Sequence, residues 1–520
     1  MRLTGPGYVN RQMQQLPFIE RHALYSDEQR ALAADVLHRA QAQGLRFVRL
    51  AWADSFGCSR AKLVTIEAFA SALRSGHNIL VATYTLDASG ARVFSSFTRG
   101  GGLGIEEMTG SPNLIVVPDP ATFRVLPWDD FSSGSGRQAG YAGGVGWVLC
   151  DTYFTNGKPF PFCPRQLLKR QLARIAERGW RMNVGLEVEW YLLKVATGVV
   201  EAENIGGPGV RPKPIATMAV EPGFAIHGES GLDLMQPVLL ELASAYEKLE
   251  LPLRSIENEW GPGQVECTFA PQDALAAADT MLLFRTATRQ LCRRLGHLAT
   301  FMTRPAIRGY YPSGWHLHQS LVSEDCGRNV LMPEDGAQPL SALGLAYLGG
   351  LIAHAQAGTA FSTPTVNGYR RFRAYSLAPD RASWAVDHRG VMVRVLGGPG
   401  DPATRLENRI GEPMANPYLF IAQQIVAGLA GVDGGLDPGP QDVESYTAER
   451  AMLPKALAEA LDLLQASELY RRDLGAPFVD YFVQLKRTEV GRFEQFLAER
   501  NIEAGEEPTE WEHNEYFDFF

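Results

Sequence analysis

The run WRMNVGLEVEWYLLKV at 180–195 leaves this chain little freedom in how it folds. Side chains alternate between the two faces of a strand, so residues i and i+2 share a face. Glu187 and Glu189 therefore stand side by side, walled by Val188, Trp190 and Leu192. Adjacent carboxylates repel unless a cation or a proton lies between them. The spacing recurs in His316 and His318 of GWHLHQSL and in Glu407 and Arg409 of RLENR, while Glu259 and Glu266 flank the Gly-Pro-Gly turn of ENEWGPGQVE. One such pair is an ordinary solvated strand face. Four of them, each set in an apolar strand, point to a divalent metal. Oxygen-rich ligands with an imidazole suit Mg²⁺ or Mn²⁺ better than zinc.

A second concentration lies between Phe361 and Tyr418, where Arg370, Arg371, Arg373, Arg381, Arg389, Arg394, Arg405 and Arg409 crowd one segment. Arginine offers a charged, rigid fork of donors that fits carboxylate and phosphate. The whole chain is acidic, with 58 Asp and Glu against 49 Lys and Arg, which argues against a nucleic-acid footprint and for a small polyanionic ligand. No Walker A sequence occurs, and GGGLG at 100–104 precedes no βαβ unit, so metal and arginine would have to hold any nucleotide phosphates.

At 520 residues the chain has room for two or more domains. Residues 1–25 read as an arm. Ser26 caps a helix that Gly44 ends, strands follow at 45–54 and 60–66, and from Ala68 to Trp128 short strands alternate with Gly-rich loops. Domain boundaries are expected at 1–25, 26–150 and 151–520, with the Gly- and Ser-rich stretch 129–146 as a linker or ligand-ordered loop. Beyond it come a helix from Pro164 to Gly179, the strand at 180–195, helices near 234–249 and from Asp273, and a small-residue helix at 342–358. Without regular βα alternation, the fold class is α+β. Six cysteines lack CxxC spacing, and no apolar leader or membrane-length run occurs; a cytoplasmic address with reduced, mostly buried thiols is expected.

The motifs VRLAWADSFG, GLEVEWYLL, ENEWGPGQVE, SGWHLHQSL, VNGYRRF, APDRASWAVDHR, RLENR and ANPYLFIAQQIVAGLAGV, in this order, resemble the glutamine synthetase family. The resemblance implies an N-terminal β-grasp domain, a catalytic domain whose curved antiparallel strands form a funnel, and a homo-oligomer of two stacked rings with sites shared between subunits. It implies one metal site at Glu189, Glu259 and Glu266 and another at Glu187, His316 and Glu407, with ATP at His318 and Ser320. Arg371 would hold the glutamate carboxylate, and Arg389, Arg394 and Arg409 would face phosphates and substrate. Asp54 matches the aspartate that a neighbouring subunit offers to the ammonium site. The γ-carboxylate of L-glutamate would attack ATP to give γ-glutamyl phosphate, which a nitrogen nucleophile then opens.

Three departures bear on that nucleophile. Leu377 stands where the family carries the glutamate that binds and deprotonates ammonium. Tyr311 and Pro312 precede Ser313 and Gly314 in the substrate loop, and Pro402 replaces a lysine near the nucleotide. An amine already neutral at pH 7, with an apolar body, needs no such base. Aniline fits, which puts the chain in the γ-glutamyl-amine ligase branch. Ammonium, alkylamines and polyamines are the alternatives; a non-catalytic structural protein would not need six metal ligands.

Overall fold

The computed structural model describes residues 16–129 and 144–520. The first fifteen residues of the expected arm, and 130–143 of the Gly- and Ser-rich stretch, lie outside them. Two compact units emerge: one takes residues up to Asp54, Ser59–Tyr84 and Ser95–Gln166, the other Ser55–Cys58, Thr85–Phe94 and Leu167–Phe520.

In the first unit Ser26 caps α1 (Asp27–Ala42). Its hydroxyl accepts from Gln29 N, and the Gln29 side chain accepts from Ser26 N. Gly44, just past the helix, takes the left-handed conformation with φ 68°. β1 (Phe47–Ala53) and β2 (Ser59–Thr65) pair antiparallel. The strands and loops expected from Ala68 are overturned there by a helix, α2 (Ile66–Ser75), whose cap Thr65 accepts from Ala68 N. Phe69, Ala72 and Leu73 form its buried stripe, at the i, i+3, i+4 spacing that marks a helix. β3 (His77–Leu80), β4 (Asn113–Pro118), β5 (Arg124–Val125) and β6 (Val145–Tyr153) complete a sheet ordered β2-β1-β6-β4-β3, with β5 on β6. β1 and β6 run parallel, and a helix over such a mixed sheet is the β-grasp arrangement.

The second unit is built on β7 (Trp180–Val195), which follows α3 (Pro164–Ala176). The main path of its sheet runs β14 (Trp384–Val386), β15 (Val393–Leu396), β16 (Arg405–Gly411), β13 (Trp315–Ser323), β7, β10 (Gln264–Phe269), β9 (Leu253–Asn258). The short strands β8 (Thr217–Ala219), β11 (Gln272–Asp273) and β12 (His297–Thr300) also pair with β7. All pairs are antiparallel except β14 with β15, which is parallel and so departs from the wholly antiparallel sheet expected.

Along β7 the alternation holds: Leu186, Val188, Trp190 and Leu192 are fully buried, and Trp190 stacks on Phe301 at 6.0 Å. Helices α4 (Glu229–Lys248) and α5 (Ala274–Arg294) pack behind the sheet, α5 capped by Asp273. The single helix expected at 342–358 is broken at His354 into α6 (Ala342–Ala353) and α7 (Ala355–Ser362). Cys150, Cys163, Cys267 and Cys292 are buried. Among the described residues no helix is long and apolar enough to cross a membrane.

Candidate active site

Strand register, not chain proximity, assembles the site. Glu266 on β10 stands opposite Glu189 on β7, His316 on β13 opposite Glu187, Glu407 on β16 opposite His318, and Arg394 on β15 opposite Glu407. Directly opposed residues lie about 5 Å apart, so the row forms one continuous band of charge across five strands. Between Trp315 and Leu317 the β13–β16 register shifts, so that Arg409 and Ile410 of β16 stand against His316 alone, and an extra residue of that kind re-aims the side chains of the strand that carries it, here Arg409.

His316 Nδ1 lies 2.6 Å from Glu187 Oε1 and 3.6 Å from Glu407 Oε1. His318 Nε2 lies 3.1 Å from Glu187 Oε2. Ligand-capable atoms of Glu187, Glu266 and His316 all fall within 4.8 Å of one another, as do those of Glu187, His318 and Glu407. Glu187 is thus common to both clusters, and His318 joins the second. Glu189 instead accepts from Gly314 N and Gln264 Nε2, each at 3.0 Å.

The electrostatics fit a divalent cation. Removal from water raises Glu189 to about 8, with the charge of Glu259 adding to it. The same cause raises Glu266 to about 10, reinforced by Glu187, Glu189 and Glu259, and burial raises Glu259 too. Carboxyls that keep protons at neutral pH beside other carboxylates are ligands that a metal deprotonates on binding. For Glu187, burial opposes ionisation, but His316 and His318 outweigh it and hold the group below the usual range. Burial, and then Arg409, lowers His316 to about 4, which leaves a neutral imidazole able to ligate.

Arginines frame this acidic band. Glu407 is fully buried and accepts from Arg409 Nη1 and from Arg394 Nη1, the latter at 3.0 Å. Arg394 also donates to Asp387 at 3.1 Å. Arg371 is buried and pinned by the carbonyls of Arg409 (2.8 Å) and Gly411 (3.2 Å). Burial lowers it to about 10, still charged at neutral pH. Gly314 is needed beside it: a Cβ there would meet Arg371 Nη2 at 2.5 Å.

Two cavities meet at Glu187. One, of about 550 Å³, holds Glu189, Glu259, Glu266, Arg371, Arg389 and Arg409 together with Tyr311 and Leu377. The other, of about 340 Å³, is lined by His318, Ser320, Arg254, Pro402 and Arg405. Tyr311 both faces the first cavity and packs edge-on against Phe224 at 5.8 Å. Leu377 is held there with φ 61°, and Tyr375 with φ 62°, a left-handed backbone that costs a residue with a side chain on the order of 1 kcal/mol. Asp54 belongs to the first unit, where its buried carboxylate accepts from Arg60 Nε at 2.7 Å.

Two neighbours of the site were legible by the same i, i+2 rule but have no role in the sequence analysis, where Arg405 is only one of the crowded arginines and Gln264 is not singled out. Arg405 precedes Glu407 on the same face and donates from Nε to His318 Nδ1 at 3.1 Å, so a neutral His318 carries its proton on Nε2, towards Glu187. Gln264 precedes Glu266 and donates to both Glu189 and Ser313.

The family described as glutamine synthetase, catalytic domain, matches residues 161–504. The chain is 43% identical over 512 residues to gamma-glutamylanilide synthase of an Acinetobacter species, covering 97% of this chain and 99% of that protein. It is 29% identical over 393 residues to glutamate–isopropylamine ligase of a Pseudomonas species, covering 75% and 80%. A solved GmaS/ADP complex superposes with a TM-score of 0.70 at 28% identity, covering 89% of this chain and 96% of that one.

Proposed function

This chain belongs to the glutamine synthetase family, and on that premise we propose that it joins the γ-carboxylate of L-glutamate to an aromatic or otherwise apolar amine, aniline above all, as ATP is converted to ADP and phosphate. The observation that carries the amine is Leu377, an apolar residue in the cavity that also contains Arg371, Arg409 and the acidic band. The similarity to gamma-glutamylanilide synthase supports the same reading.

Arg371 would bind a glutamate carboxylate, its fork fixed in advance by two carbonyls. His318, Ser320 and Arg405 line the smaller cavity, which suits ATP. The γ-carboxylate oxygen then attacks the γ-phosphorus and ADP departs; Arg389, Arg394 and Arg409 would offset the charge that spreads over the transferring group. Two or more Mg²⁺ or Mn²⁺ ions, held among Glu187, Glu189, Glu259, Glu266, His316 and Glu407, would supply further neutralisation of the phosphates. In the second half the amine nitrogen attacks the acyl carbon, the carbon–oxygen bond to phosphate breaks, and the nitrogen loses a proton. Leu377 can neither attract a cation nor accept that proton, so an acceptor that arrives neutral is favoured. Gly314, Tyr311 and Leu377 would border the substrates. Asp54 would act from a neighbouring subunit in stacked rings. A reaction that consumes ATP and glutamate suits the cytoplasm.

Phosphate release from ATP with glutamate and a panel of amines tests this. Turnover with aniline well above ammonium is expected. Efficient turnover with ammonium and none with aniline would leave an ordinary glutamine synthetase.

A further inference from the structure

We infer that Tyr375, seconded by Trp260, is the specificity-determining wall that selects an aryl amine; the inference rests on the amine-ligase reading above. Both rings line the cavity of about 550 Å³ that holds Glu259, Arg371 and Leu377. They come from unrelated parts of the chain: Trp260 from the turn between β9 and β10, Tyr375 from the loop that follows Arg371.

Tyr375 is the more telling of the two. Its backbone is left-handed, with φ 62°, where glycine sits without strain and tyrosine does not. The residue is 80% exposed, so burial does little to recompense that conformation. Its ring leans on Tyr446, with centroids 4.9 Å apart and planes at 47°. Tyr446 is itself tied to the loop, donating to the Ala378 carbonyl at 3.2 Å. A braced aromatic face, left open on a strained backbone, is a surface for another ring to pack on.

Trp260, 42% exposed, directly follows Glu259. Its carbonyl accepts from Phe224 N at 2.7 Å, which fixes the turn that presents it. An aryl amine placed on these faces would bury its ring while its nitrogen stays beside the acidic band. The competing guest of an aromatic wall is an alkylammonium ion, drawn to the ring faces by its charge, and the experiment must separate the two.

Tyr375→Gly, Tyr375→Phe and Trp260→Ala are compared with the unaltered full-length enzyme, with aniline, isopropylamine and ammonium as acceptors, alongside thermal melting. Tyr375→Gly should melt no lower than the parent, because the strain is relieved. Its KM for aniline should rise about tenfold, while the KM for glutamate and for ATP stays within about twofold. Tyr375→Phe should keep the parent's KM for aniline, and Trp260→Ala should raise it as Tyr375→Gly does. An unchanged KM for aniline in Tyr375→Gly overturns the inference, as does a parallel loss for all three amines and glutamate. A loss with isopropylamine equal to that with aniline assigns the wall to cations and overturns it too. A parent enzyme that turns over no aryl amine defeats the reading of the preceding section before any variant is compared.

Discussion

Arg409 Nη2 donates to the carbonyl of Leu377 at 3.4 Å, while Nη1 of the same guanidinium binds Glu407. One side chain therefore ties the acceptor wall to the acidic band. Leu377→Glu would place a carboxylate beside that guanidinium and restore a group able to attract ammonium and take its proton. The ratio of kcat/KM for ammonium to that for aniline should rise about tenfold or more. Steady-state rates with both amines decide it, and an unchanged ratio would sink the assignment of Leu377.

Gly314→Ala should damage glutamate binding selectively. The added methyl meets Arg371 Nη2 at 2.5 Å, and displacing a buried charged donor loses roughly 1.5–3 kcal/mol of binding. KM for glutamate should rise about tenfold to a hundredfold with KM for ATP little changed. Equal effects on both substrates would mean that Arg371 serves the scaffold and not the substrate.

Glu189 and Glu266 set a pH dependence. A carboxyl with a folded pKa above its unfolded value is protonated in the folded chain and ionised in the unfolded one between the two values. Its contribution to stability is therefore lost as pH rises. The window runs from an unfolded value of about 4.3 to about 8 for Glu189 and about 10 for Glu266. EDTA-treated protein should melt at falling temperature from pH 5 to 9, and saturating Mn²⁺ should flatten the slope, because the metal replaces the protons. Calorimetry at pH 7 in buffers of different ionisation enthalpy should register proton release on Mn²⁺ binding. A melting temperature indifferent to both pH and Mn²⁺ would contradict the cluster's role.

Arg405→Met removes the donor to His318 Nδ1 and lets the ring place its proton on either nitrogen. Loss of such an outer support costs about tenfold or more in affinity at metal sites. KM for ATP should rise by about that factor, with KM for glutamate nearly unaffected; the reverse pattern would assign Arg405 to the other cavity.

The alternation in β7, β13 and β16 made the acidic band legible, because period two dictates which residues share a face. Arg405 and Gln264 obey the same period and could have been read from it. Tyr375 could not: it lies in a loop with no period, and its left-handed backbone is a property of the folded chain alone. The helix at Ile66–Ser75 hid for a different reason. Its apolar stripe at Phe69, Ala72 and Leu73 is short, and Val64 and Ile66 keep the period of a strand across the capping Thr65, so the strand reads on into the helix's first residue. Nor did sequence show that Glu187 belongs to both clusters, since that depends on how β13 and β16 register around His316, where two residues of β16 face one of β13.

The band across five strands carries a consequence for how the chain matures. Glu187 and Glu189 leave the ribosome long before Arg394, Glu407 and Arg409 have been made, and pairings so distant along the chain are slow to close. A nascent chain stopped before β15 holds Glu187, Glu189, Glu259 and Glu266 without Arg394 or Arg409, the two arginines that later brace Glu407. The acidic band therefore cannot be complete until β16, the last of its strands to be made, has docked.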